Sequence, residues 1–216
     1  MSFRFLLSDA WKAWHRHSGW MAWNLFLAFI PLALSVWLFR RSSGTRNLLW
    51  WAGLIIFIAF LPNAPYLLTD IIHLIDAVRR DYSVWVITLV LIPQHLSVIL
   101  LGFEAYVISL INLGYYLQKQ GMGKFTLPAE LITHALSAVG IYLGRFLRFN
   151  SWDLVTQPED LAQTIVDDLT AKRPLLVMFV TFIILTVLYW VMKQITLGLI
   201  LKIRYRKVSH EVGGDN

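Results

Sequence analysis

Three stretches of this chain, Trp20–Phe39, Leu48–Leu68 and Pro174–Met192, run from end to end without a Lys, Arg, Asp or Glu. A hydrocarbon layer of roughly 30 Å is crossed by about 20 helical residues, so each stretch is long enough to span a bilayer. Backbone N–H and C=O groups find no water there, which leaves the helix as the fold for a continuous apolar run. Strands of a membrane barrel alternate in polarity over short segments, and these runs do not. Of the 216 residues 57% are hydrophobic and 15% charged, with a mean hydropathy of +0.60. The expectation is an all-α, polytopic transmembrane helix bundle.

Charge and cysteine content close off other classes. The net charge of +6 lies at the ends of apolar runs, where lipid headgroups and topology account for it, so nucleic acid is not an expected partner. Without cysteine there is no disulfide, thiolate metal site or cysteine nucleophile. Glycine-rich phosphate loops, Gly-x-Ser-x-Gly and His-Glu-x-x-His are also absent, so no nucleotide-driven machine is expected and any cofactor is unknown from the sequence. The leader before Trp20 has no small-residue cleavage pattern, which predicts a retained first span.

Along the chain, residues 3–17 place Phe3, Leu6, Leu7, Trp11 and Trp14 on one helical side with Arg4, Lys12 and Arg16 on the others. This predicts an interfacial amphipathic segment over 1–19. A single helical domain follows over 20–201, with a loop at 144–173, and then a basic tail at 202–216. The stretch 84–118 is the ambiguous one. At about 1.5 Å per residue it makes a helix about 52 Å long, too long for one upright crossing and short for two with a turn. Pro93 either kinks one long helix or ends a half-span. Five Lys/Arg from Lys193 onward predict a cytoplasmic C-terminus and an outer 144–173 loop. With one crossing the Lys/Arg divide 10 inside to 9 outside; with two, 12 to 7. Charge bias favours six spans, but nothing in 84–118 reads as a loop, and five spans are preferred.

Two polar groups stand out. Asn63, Tyr66, Asp70 and His73 follow one another at spacings of three and four, and share a face if the helix resumes after Pro65. Asp70 and His73 are candidate catalytic residues, an acid–base pair in which the carboxylate orients the imidazole. The plainer reading is that Asp70 caps a helix end while Asn63 satisfies backbone groups freed by Pro62 and Pro65. Asp-x-x-His supplies two ligands where zinc takes three or four, so no metal is expected. In the second group, Arg145 and Arg148 lie one helical turn apart just past a span, suited to hold a phosphate or carboxylate. Asn63, Tyr66, Arg145, Arg148 and Asp153 are the candidate ligand-binding residues; the alternative is headgroup contact and a salt bridge to Asp153. Deeper in the apolar runs, Glu104 and the i,i+4 pair Glu130/His134 could line a proton path or simply pair locally.

Asn63-Ala-Pro-Tyr66, followed by Thr69-Asp70 and His73-Leu74, together with Gly140-Ile-Tyr-Leu-Gly-Arg-Phe-Leu-Arg-Phe-Asn-Ser-Trp-Asp153, resembles the membrane-protein family called domain of unknown function 1361. The resemblance covers most of residues 20–192 and implies an uncharacterised bacterial multi-span protein. It implies nothing about chemistry. From the residues themselves comes the expectation of a plasma-membrane protein whose two motifs meet at the outer face around an anionic lipid headgroup or lipid-linked envelope precursor. A proton-coupled transporter or channel and a non-catalytic envelope assembly factor are the competing classes.

Overall fold

The computed structural model describes residues 3–41, 46–80, 82–149, 156, 159, 163, 167 and 172–213. Every regular element among them is helical: α1 (Phe3–Ser35), α2 (Leu48–Phe60), α3 (Asn63–Tyr66), α4 (Ile71–Val78), α5 (Val84–Val86), α6 (Ile92–Lys119), α7 (Thr126–Phe146) and α8 (Lys172–Gly213). Five stretches are long and apolar enough to cross a membrane: Leu7–Arg41, Leu48–Val78, Val84–Lys119, Gly123–Phe146 and Lys172–Arg206. The fold class is therefore the expected one. The amphipathic leader is helical and runs without a break into the first span.

The third span settles the 84–118 ambiguity. Helix α5, a wide-turned stretch over Ile87–Leu91 and α6 form one uninterrupted helical stretch, long and apolar enough for a single crossing. Pro93 lacks an N–H and crowds the carbonyl four residues earlier, and the wide turns immediately before it accommodate that demand. Gly121, at φ +73°, then ends α6. Its N–H returns to the Gln118 carbonyl and that of Met122 to the Leu117 carbonyl, the pairing that closes a helix with a left-handed glycine. At the starts of α2 and α5, Asn47 and Ser83 accept from the N–H groups of Trp50 and Val86.

The second span is broken, yet its helical segments follow one another from Leu48 to Val78 as one stretch. Pro62 and Pro65 remove two helix donors, and the chain responds with a short turn, α3 and a tight turn over Leu67–Asp70 before α4. Ala64 N–H bonds to the Leu61 carbonyl instead of the Phe60 one. The Asn63 side-chain amide donates to the Phe60 carbonyl left over, at 3.0 Å. That is the plainer role expected of Asn63.

Helix α6 is central, packed along α1 and in contact with α3, α7 and α8. Leu61, Leu67, Phe103, Tyr106, Val107 and Leu110 are buried at these contacts. Two glycines permit the closest approaches. A Cβ on Gly102 would collide with the Leu67 side chain, and one on Gly140 would lie 2.7 Å from two ring carbons of Pro62. The broken span is thus wedged between the third and fourth, and this wedge brings Tyr66, Thr69 and Asp70 to α7. Many large apolar side chains, among them Ile55, Leu100, Phe179 and Trp190, face outward, as in a bundle whose surface meets lipid.

Candidate functional site

The site lies where the second span ends its break and α7 reaches its C-terminus. Asp70 ends the tight turn and is 2% exposed. Arg145, in the last turn of α7, reaches across to it, with Nη2 at 2.6 Å from Asp70 Oδ1. The same guanidinium is held by Thr69, whose hydroxyl accepts from Nε at 3.0 Å and from Nη2 at 2.5 Å. Thr69 in turn donates to the Tyr66 carbonyl, and the Tyr66 ring lies under the guanidinium at 4.6 Å. Arg145 is consequently oriented by a carboxylate, a hydroxyl and an aromatic face at once. Asn24, from α1, reaches the other Asp70 oxygen at 3.4 Å.

His73 is the accessible member, its side chain 44% exposed against 15% for Arg145. Its Nε2 lies 3.4 Å from Arg145 Nη1 and 3.9 Å from Asp70 Oδ1. The second distance is too long for a hydrogen bond. The orienting contact expected from Asp70 to His73 is therefore not made, because Arg145 and Thr69 draw the carboxylate and its surroundings toward α7. Trp20 covers His73 from the α1 side, with ring centroids 4.8 Å apart.

Of the residues singled out from the sequence, Tyr66, Asp70, His73 and Arg145 come together. Asn63 is one turn away and bonds to its own segment. Arg148 does not share a helical face with Arg145: α7 stops at Phe146, and Arg148 is exposed in left-handed backbone at φ 62°. This turn carries its side chain off the helix while Phe149 N–H closes onto the Leu143 carbonyl at 3.1 Å. Asp153, Asn150 and Ser151 lie outside the described residues. Sequence reasoning missed Trp20 and Asn24, and noted Thr69 only as part of a motif. The one available signal was an isolated Asn in the first apolar run. Among the described residues no group of three or more His, Asp or Glu is placed to hold a metal ion.

The deeper groups also find partners other than those expected. Glu130 and His134 do not pair: Glu130 accepts from Tyr189 and Lys193, while His134 meets Tyr106. Glu104 takes a hydrogen bond from Thr196, and His95 Nδ1 is on the Leu91 carbonyl.

The fold and the site define a helical protein with, among the described residues, five helices long and apolar enough to cross a membrane and a polar cluster where the second and fourth of them meet. The chain belongs to the family described as protein of unknown function (DUF1361), which matches residues 23–187 and so includes the whole cluster except Trp20. No curated protein and no solved structure matches it.

Proposed function

We propose that this is a multi-pass protein of the bacterial plasma membrane that binds the anionic headgroup of a lipid, or of a lipid-linked envelope precursor, at the outer face. The observation that carries this reading is the gap between His73 Nε2 and Arg145 Nη1. At 3.4 Å they are at the edge of hydrogen-bond range of each other, and each presents an N–H to an anionic oxygen when the imidazole is protonated. A phosphate oxygen seated between them is better satisfied than either is now. Asp70 and Thr69 are positioning residues that hold the Arg145 fork in place; they leave Nη1 for the ligand. Tyr66 and Trp20 form the aromatic walls, and exposed Arg148 adds a cation at the rim. Placing this end outside follows from the basic C-terminal tail, which favours the cytoplasm.

The test is the thermal stability of the detergent-purified protein with phosphatidylglycerol or phosphatidylcholine. Phosphatidylglycerol raises the melting temperature of the native chain more than phosphatidylcholine does. That difference disappears in His73→Ala and Arg145→Gln and shrinks in Arg148→Ala. Equal effects of the two lipids, or a difference indifferent to His73 and Arg145, overturn the proposal.

A further inference from the structure

A second polar group lies between α6, α7 and α8, on the side of the bundle away from Asp70. Tyr189, Lys193 and Thr196 fall at i, i+4 and i+7 of α8, one face of the helix. Lys193 Nζ and Tyr189 Oη both donate to Glu130 Oε1, at 2.5 and 2.8 Å. Thr196 donates to Glu104 Oε1 at 2.7 Å. Glu104 Oε2 is buried and has no hydrogen-bond partner among the described residues. Beside this group the Tyr189 ring packs edge-on against His134, centroids 4.7 Å apart. His134 Nδ1 meets Tyr106 Oη at 2.8 Å, and Tyr106 reaches Ser137 at 3.3 Å.

We propose that Glu104 is a proton-binding site inside the bundle, and that Lys193 is its exchangeable counter-ion, shared between Glu104 and Glu130. Ionisable groups at bilayer depth are costly unless they are paired or perform a task. Glu130 is paired; Glu104 offers a bare oxygen. Lys193 and Thr196 are one turn apart on the same face, so the flexible four-carbon stem that delivers Nζ to Glu130 can also sweep toward the carboxylate bound to Thr196.

The ligand is a proton rather than a metal ion for a reason of coordination. Hard cations take about six oxygens and zinc three or four ligands, whereas a proton needs a single lone pair, which Oε2 supplies. In the step, a proton from solvent adds to Oε2 and forms an O–H bond, and the ammonium of Lys193 settles on Glu130. Loss of that proton returns the negative charge and draws Lys193 back toward Glu104. The titratable groups facing this site are Tyr106 from α6, Glu130 and His134 from α7, and Tyr189 and Lys193 from α8. Where the broken span packs on α6 at Gly102, the nearest groups are the Leu67 side chain and the Ala64 carbonyl, neither of which titrates. This inference does not rest on the headgroup reading, since Ser137 and Arg145 are two turns apart, about 12 Å, along α7.

Infrared difference spectra between acidic and alkaline buffer, recorded on the protein reconstituted in bilayers, test it. The native chain gives a protonated-carboxyl C=O band that Glu104→Gln abolishes. Thr196→Val shifts the frequency of that band by removing the hydrogen bond to Oε1, and identifies Glu104 even if the glutamine variant does not insert. Lys193→Met moves the titration to higher pH, because loss of a neighbouring positive charge favours the neutral acid. No titrating band, or a band unchanged in frequency by Thr196→Val and present in Glu104→Gln, overturns the site. An unmoved titration in Lys193→Met overturns the role of the lysine.

Discussion

Arg145 illustrates how one side chain can be held tightly on one edge and only loosely on the other. Its Nε and Nη2 are spent on Thr69 and Asp70, and its face rests on Tyr66. Only Nη1 is left toward His73. Removing the buried counter-charge leaves the guanidinium uncompensated, and breaking such a pair costs about 3–5 kcal/mol. Asp70→Asn is expected to lose about that much in equilibrium unfolding in detergent, with Thr69→Val losing about 1–3 kcal/mol through unsatisfied donors. Equal, small losses in both would mean that water replaces these contacts freely. Residue type alone pointed to Asp70, His73 and Arg145, since charged groups at the ends of apolar runs are conspicuous. Trp20 and Asn24 were not legible, because a lone aromatic or amide in a hydrophobic span looks the same whether it meets lipid or a carboxylate.

At the scale of elements, the break in the second span is what delivers the cluster. Two prolines withdraw donors, Asn63 satisfies the carbonyl left behind, and Gly102 and Gly140 let α6 and α7 close on the wedge. The proline ring cannot yield as a flexible side chain would. Gly140→Ala is expected to cost about 1–3 kcal/mol by overpacking. It also pushes Arg145 away from Asp70, so the preference for phosphatidylglycerol weakens along with stability. A variant that melts as the native chain does and keeps that preference would mean the spans have room to spare. The prolines announced the break in the sequence, but which helices fill it did not follow from them. Likewise, spacing placed Arg145 and Arg148 together only on the assumption that the helix continues, and a left-handed residue at 148 ends it.

For the whole molecule, the direction of each helix decides which polar groups can meet. A single helix over Val84–Lys119 puts the ends of the second and fourth apolar helices at one end of the bundle, and the contact between Asp70 and Arg145 depends on it. Single cysteines introduced into the cysteine-free chain at Arg80 and Leu147 are therefore expected to react with an impermeant thiol reagent from one side of intact cells. A cysteine at Gln120 should react only after permeabilisation. All three positions are exposed. Labelling of Arg80 and Leu147 from opposite sides would dissolve the composite site.

The amino-acid sequence by itself determined that the chain is helical and where most of its crossings lie, because uncharged runs of bilayer length have few ways to satisfy their backbone. It also exposed the polar residues whose burial demands a reason. Charge bias leaned toward six crossings, which divide the Lys/Arg 12 to 7 against 10 to 9 for five, whereas the described residues form five helices of spanning length. Tertiary structure alone decided that Arg145 meets both Asp70 and Thr69, that Lys193 meets Glu130, and that one Glu104 oxygen is left without a partner among the described residues. These pairings join helices far apart in the chain, which no local periodicity records, and at the broken span the shapes of Gly102, Gly140 and Pro62 set how closely the helices approach.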